Sequence, residues 1–146
     1  MARVPPEVRK AIPGLVKASN SPSGKDTKGR HHEETLVWGR DASEKVVVSI
    51  CVPGPYSPPG SDVAETDFTP ADPSIQKQLR SIEGMVYVHP EGDSKEHFDQ
   101  FPSQHDIDVA QPSPIINMVV GAYSRRAYFY DKQGNIGDVK LKEIAP

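Results

Sequence analysis

The stretch at residues 85–108, MVYVHPEGDSKEHFDQFPSQHDID, carries the pattern on which the fold and the function depend. A short apolar strand is predicted to end at His89, because Pro90 follows it. A polar loop comes next, and Ser103 begins a segment that is predicted to open a helix. Strand ends and helix starts gather on one rim of a sheet, so we expect His89 and Asp106 to meet there. A histidine and a carboxylate at one rim can together bind zinc.

The composition describes a soluble, loop-rich domain. The chain has 146 residues, which is enough for one domain with a hydrophobic core of its own. Apolar residues make up 36% of the chain, and the 15 prolines indicate many loops between the apolar clusters. The net charge of −3 creates no large positive field. Neither nucleic acid nor a membrane surface is therefore an expected partner.

Cysteine usage and apolar segments favour a cytoplasmic protein. The single cysteine, Cys51, excludes an internal disulfide framework and is interpreted as a buried thiol rather than a nucleophile. The first residues lack the long apolar run of a signal peptide, and the longest apolar runs are too short to span a bilayer. A cytoplasmic location is the default expectation, and export as an effector without a cleaved signal is the alternative.

The first half of the chain predicts one helix and one hairpin. Apolar residues spaced by three and four predict a helix over residues 7–19, which a central Pro-Gly pair weakens. Residues 35–38 and 46–52 are predicted to pair as two strands, and the apolar second strand is predicted to be covered on both faces. The proline-rich residues 53–70 are predicted to form a loop, which we expect to flank the rim of the sheet where His89 and Asp106 meet.

The second half predicts an α/β (α+β) class with a mixed sheet flanked by helices. A helix over residues 72–83 is predicted to begin at the cap Asp72 and to end at Gly84. Alternation on the next strand places Tyr87 and His89 on one face, opposite the valines between and before them. The remaining predicted elements are a helix at 103–110 and strands at 85–88, 115–123, 127–130 and 139–144.

Three motifs follow one another in a fixed order: acidic residues before a strand, the pair His89-Pro90, and Ser-x-x-Asp at residues 103–106. This order resembles the JAB/MPN (JAMM) metalloprotease superfamily, in which a Glu precedes His-x-His-Pro and Ser-x-x-Asp. The closest likeness is to the JAB-like domains of bacterial polymorphic toxins and effectors. Those domains also carry Phe-Pro-Ser-x-x-Asp and Tyr-Asp-x-x-Gly, which match residues 101–106 and 130–134 here. The resemblance covers about residues 30–134.

The resemblance implies a zinc-dependent peptidase or isopeptidase and a role for each matching residue. His89 and Asp106 would be zinc ligands, and Ser103 would help to hold the oxyanion. Glu33, or as a second choice Glu34, would be the general base that takes a proton from water. The implied fold is a single JAB/MPN-like domain, a mixed sheet between helices similar to that of cytidine deaminases.

The chain departs from the family at Tyr87, which stands where the first histidine of the metal motif occurs. A tyrosinate can bind a metal, but a phenol with a pKa of about 10 ionises at neutral pH only with strong electrostatic stabilisation. His105 and His97 are alternative sources of a third nitrogen. The pair at residues 31–32 is a weaker metal candidate, because neighbours on an extended chain face opposite ways.

Several functions remain open at this point. Ser-x-x-Asp is also a helix capping box, and the acidic pair before the strand can be solvated charge. The first hypothesis is the zinc-dependent hydrolase acting on a protein or peptide. The second is a catalytically degenerate JAB-like module that binds a protein partner. The third is an effector or toxin domain with another hydrolytic target and a cognate neutralising (immunity) protein.

Overall fold

The computed structural model of the chain describes residues 4–21, 32–54, 68–92 and 98–145. These residues form an α+β fold with one mixed sheet of six strands. The strands are β1 (Glu34–Arg40), β2 (Val46–Ile50), β3 (Ser81–His89), β4 (Ile116–Gly121), β5 (Arg126–Asp131) and β6 (Gly134–Lys140). Their order across the sheet is β2-β1-β3-β4-β5-β6. The central neighbours β3 and β4 are parallel, and the other neighbouring pairs are antiparallel.

Helices cover both faces of this sheet. The long helix α1 (Pro6–Ser19) runs through Pro13 without a break and buries the apolar stripe that the sequence predicts. The short helices are α2 (Pro73–Gln76) and α3 (Gln104–Asp108), and a 3-10 helix spans Leu141–Glu143. Within the described part of the chain, no helix is long and apolar enough to cross a membrane.

Strand alternation divides the hydrophobic core into two. Val86 and Val88 of β3 pack with Trp38 and with α1 on one face of the sheet. Met85 and Tyr87 point the other way and pack in a second cluster on the face that α3 covers. The prediction that the valines and Tyr87 lie on opposite faces is therefore confirmed.

The hairpin of β1 and β2 is confirmed, but its second strand is buried on one face only, the face of Val47 and Ser49, and not on both as predicted. β2 is the outer strand of the sheet in the strand order, and Ile50 is 43% exposed. A short segment lies beside it, where the Val52 N–H donates to the Thr69 carbonyl and the Ala71 N–H donates to the Ile50 carbonyl. β-Branched residues favour a strand even where it is only half-buried, so the apolar run overstated the burial.

The predicted helix over residues 72–83 is also wrong over most of its length. Its start is as predicted, because the Asp72 carboxylate accepts a hydrogen bond from the Ser74 N–H. The helix stops at Gln76, and β3 begins at Ser81. Pairing with β1 overrides the helical spacing of the apolar residues here. Gly84, the predicted helix end, lies inside β3 opposite Trp38.

The final strand is displaced from its predicted place. The predicted turn at residues 131–134 forms, and β6 starts directly after it at Gly134 and ends at Lys140. The apolar residues Leu141 and Ile144 follow in the 3-10 turn and pack into the core beneath α1. Their burial explains the apolar pattern that suggested a strand at 139–144. The predicted loop 53–70 lies mostly outside the described residues.

The close approach of Gly84 to Trp38 gives a test of this packing. A Cβ atom added at Gly84 would overlap the buried indole ring, whereas one added at Gly137 meets no atom within 4 Å. We expect Gly84→Ala to lower the free energy of unfolding by about 1–3 kcal/mol, because overpacking strains the core. Gly137→Ala should not lower it, since the added methyl group meets no neighbouring atom and the alanine reduces the backbone entropy of the unfolded chain. Urea denaturation of both variants measures the difference, and equal values would contradict the packing.

Candidate metal centre

Three buried side chains meet at one rim of the sheet. Glu33 precedes β1, His89 ends β3, and Asp106 lies in the first turn of α3. One oxygen or nitrogen from each side chain lies within 4.8 Å of the other two. We call these three residues the candidate metal centre. The sequence-based expectation that His89 and Asp106 meet is confirmed, with 3.3 Å between His89 Nε2 and Asp106 Oδ2.

The His89 ring is oriented from both of its nitrogens. Nδ1 lies 2.8 Å from the backbone carbonyl oxygen of Asp99. A carbonyl oxygen only accepts, so Nδ1 must carry a proton and donate it. Nε2 then points at the carboxylates, 3.3 Å from Asp106 Oδ2 and 4.0 Å from Glu33 Oε1. Either a second proton or a metal ion must sit on Nε2 to balance the charge there.

The protonation equilibria reflect this arrangement. Burial lowers the pKa of His89, but the hydrogen bond to Asp106 and the charge of Glu33 outweigh it and raise the pKa to about 8. Burial raises the pKa of Asp106, but its interactions with His89 and Ser103 are stronger and bring the pKa below its usual value. Without a metal, the imidazolium form of His89 therefore supplies the positive charge between the carboxylates at neutral pH.

Ser103 and Asp106 form the capping box that the sequence allowed as a structural interpretation. The Ser103 hydroxyl accepts a hydrogen bond from the Asp106 N–H at 3.1 Å, and the Ser103 N–H donates to Asp106 Oδ2 at 2.8 Å. Asp106 Oδ2 is thus shared between the start of α3 and His89. The box fixes the carboxylate that faces the imidazole, and a contact of Ser103 with an oxyanion stays a prediction.

Tyr87 shares the face of the candidate metal centre but is held neutral. Its side chain is buried, and its hydroxyl donates to the Met85 sulfur at 2.8 Å. Burial and the charges of Asp106 and Glu33 raise the pKa of Tyr87 above its usual value. Tyrosinate is the form that binds metals, so these neighbours oppose a role for Tyr87 as a ligand.

Two aromatic residues that the sequence did not place near the site lie around Tyr87. The ring of Phe68, which is 55% exposed, meets the Tyr87 ring edge-on with centroids 6.0 Å apart. Tyr130 is buried in the same cluster as Tyr87, and the charge of Asp106 adds to burial in raising the pKa of Tyr130. Alternation along β5 could have placed Tyr130 on this face, whereas no pattern in the sequence points to Phe68.

The structure separates the two glutamates that the sequence left as alternatives. Glu33 joins His89 and Asp106, whereas Glu34 pairs in register with Val88 and faces the opposite side of the sheet. There Glu34 Oε2 lies 3.6 Å from His32 Nε2, and burial raises the pKa of Glu34 to about 7. Of the two candidate bases, only Glu33 is therefore within reach of the imidazole.

Among the described residues, His32, His105 and Cys51 are not members of the candidate metal centre. His105 is exposed on α3, and it does not join the candidate metal centre. His97 and His31 lie outside the described residues. Cys51 is buried, as the sequence predicts. Within the described ranges, the cluster thus offers one imidazole nitrogen and two carboxylates.

This donor set fits a divalent metal ion. Imidazole nitrogen and carboxylate oxygen are common zinc ligands, and a ligating histidine typically donates its other ring N–H to a carbonyl or carboxylate. His89 has that hydrogen bond to the Asp99 carbonyl. Comparisons of the chain with protein-family models, with curated proteins and with solved structures found no match.

The capping role of Ser103 is testable through stability. We expect Ser103→Ala to lower the free energy of unfolding by about 1 kcal/mol, because the Asp106 N–H loses its acceptor at the start of α3. Ser43→Ala, at an exposed position in the turn after β1, serves as the control and should change it by less than about 0.5 kcal/mol. Chemical denaturation compares them, and an unchanged Ser103→Ala would contradict the capping role.

Proposed function

We propose that this chain is a zinc-dependent hydrolase of peptide or isopeptide bonds with a JAB/MPN-like architecture. The observation that carries the proposal is the orientation of His89. Its Nδ1–H donates a hydrogen bond to the Asp99 carbonyl, and Nε2 faces two buried carboxylates. The mixed sheet between helices and the order of the motifs along the chain add support to it.

In this proposal each residue of the candidate metal centre has one role. His89 Nε2 and Asp106 Oδ2, which lie 3.3 Å apart, would hold the ion. A bound zinc ion supplies Lewis acidity, which polarises a carbonyl group and acidifies water. Glu33, whose Oε1 lies 4.0 Å from His89 Nε2, accepts the proton of the attacking water.

The surrounding residues orient this chemistry. The backbone N–H of Ser103 donates to Asp106 Oδ2, the same oxygen that faces the imidazole, and so helps to fix the carboxylate. Tyr87 closes the buried side of the site as a neutral phenol, and burial of all three residues of the centre limits the access of bulk water. The exposed ring of Phe68 packs on Tyr87 and offers an apolar surface beside the site for a substrate side chain.

A second candidate function is a protein-binding module that has lost catalysis. Two observations favour it. Tyr87 occupies the place of a metal-binding histidine in the family pattern, and its hydroxyl donates a hydrogen bond to the Met85 sulfur. The pKa of His89, raised to about 8, lets a proton take the position that the metal would need. In that case Glu33, His89 and Asp106 form a buried ionic cluster with a structural role.

Zinc binding separates the two candidates, and the adjacent glutamates supply a matched pair of variants. We expect about one zinc per chain in the wild type, and its loss in His89→Ala. Glu33→Gln should weaken the binding of zinc by about tenfold or more, because a charge leaves the centre. Glu34→Gln should not change it, since Glu34 is equally buried but lies on the other face. Elemental analysis and chelator competition measure these values.

The same pair of variants tests the assignment of the base. With a peptide or isopeptide substrate found by mass spectrometry of a peptide library, Glu33→Gln should lower kcat by about a hundredfold or more. Glu34→Gln should keep kcat within a few-fold of the wild type. A wild-type protein that binds no zinc after incubation with excess metal would contradict the hydrolase. Equal loss of activity in both variants would contradict the assignment of Glu33.

A further inference from the structure

We propose that Gln100 is a positioning residue that sets the orientation of the His89 ring. The role deepens the function proposed above, because it concerns the same centre, but its structural part stands without a metal. The hydrogen bonds of the Gln100 side chain go to backbone groups. Gln100 acts on His89 through the backbone segments that its amide holds together.

The side-chain amide of Gln100 is fully used. It is buried, with 9% of its surface exposed. Its Nε2 donates to the carbonyl oxygens of Pro90 and Phe98, at 3.0 and 2.8 Å. Its Oε1 accepts from the backbone N–H groups of Tyr123 and Ser124, at 2.7 and 3.1 Å. Both protons and both lone pairs of the amide therefore have partners.

These four bonds join three segments that surround His89. Pro90 directly follows β3, Phe98 belongs to the loop before α3, and Tyr123 lies in the turn after β4. The neighbour of Gln100 in the chain is Asp99, whose carbonyl accepts the His89 Nδ1 proton. Asp99 lies between Phe98 and Gln100, so fixing the backbone on both sides also fixes the Asp99 carbonyl. The side-chain amide of Gln100 thereby controls where the His89 imidazole is held.

The same turn also holds the backbone of His89. The Ala122 N–H donates to the His89 carbonyl at 3.0 Å. Gly121, which pairs in register with His89, leaves the space that Gln100 occupies. A Cβ atom there would lie 2.8 Å from the Gln100 Cβ and would overlap the Ser124 hydroxyl. The ring and the main chain of His89 are thus both tied to the end of β4.

A merely stabilising role is the alternative, and the chain contains a matched control. Asn117 lies at the start of β4, at the other end of the strand from Gly121. It is also buried, its Oδ1 accepts from the Gln111 N–H, and its Nδ2 donates to the Gln111 carbonyl. Removing either amide breaks buried hydrogen bonds to the backbone, but only Gln100 adjoins the residue that holds His89.

The experiment compares Gln100→Ala, Gln100→Met and Asn117→Ala in the full chain. Methionine keeps the volume of the glutamine and removes its hydrogen bonds, so it guards against a variant that fails to fold. The readouts are the melting temperature, the zinc affinity by chelator competition, and the NMR resonance of the His89 Nδ1 proton. That resonance is assigned by its loss in His89→Ala.

We expect all three variants to melt at lower temperature, and only the Gln100 variants to disturb His89. In them zinc affinity should fall by about tenfold or more, and the Nδ1 proton resonance should broaden or disappear through exchange. Asn117→Ala should keep the wild-type zinc affinity and an intact Nδ1 proton resonance. Wild-type affinity and an intact resonance in Gln100→Met would overturn the positioning role, and so would an equal loss in Asn117→Ala.

The two proposals fail in different ways. If the wild-type protein binds no zinc, the hydrolase is contradicted, and the Nδ1 proton resonance alone decides the role of Gln100. Its loss in Gln100→Met with retention in Asn117→Ala would then support the positioning role without a metal. If zinc binds but both Gln100 variants keep the wild-type affinity and resonance, the hydrolase survives and the positioning role does not.

Discussion

The hydrogen bond between His89 Nδ1 and the Asp99 carbonyl is the constraint on which the site depends. It fixes the proton on one nitrogen and turns the other toward two buried carboxylates. Burying two negative charges together is unfavourable unless a cation lies between them. A proton on His89 or a metal ion can supply this cation, and the choice between these two cations is the choice between the two candidate functions.

The fold supplies this constraint through its parallel central pair of strands. β3 and β4 run in the same direction, so their ends lie side by side at one rim, and the connection between them crosses one face of the sheet. The start of α3 thereby reaches His89, and its capping box presents Asp106. The antiparallel neighbour β1 begins at the same rim and brings Glu33 there. One topological feature thus assembles residues that lie far apart in the chain.

Much of this arrangement can be predicted from local sequence, and the failures have physical causes. The α1 stripe, the alternation on β3 and the capping residues at 103–106 act through neighbouring residues, which the sequence displays directly. The segment 72–83 has a helical apolar pattern, but pairing with β1 and the packing of Trp38 on Gly84 make its second part a strand. The choice between Glu33 and Glu34 depends on the strand register, because side chains one residue apart lie on opposite faces of the sheet. The Asp99 carbonyl and the Gln100 amide act on His89 through loop geometry, for which no sequence pattern exists.

The most direct measurement is a crystal structure of the protein grown with zinc, with anomalous scattering recorded at the zinc edge. We expect a single strong anomalous peak about 2.0–2.2 Å from His89 Nε2 and from Asp106 Oδ2, with the hydrogen bond from His89 Nδ1 to the Asp99 carbonyl preserved. A peak at another place, or a centre in which His89 and Asp106 keep their direct contact in excess zinc, would contradict it. The second outcome would contradict the hydrolase and favour His89 as a buried imidazolium.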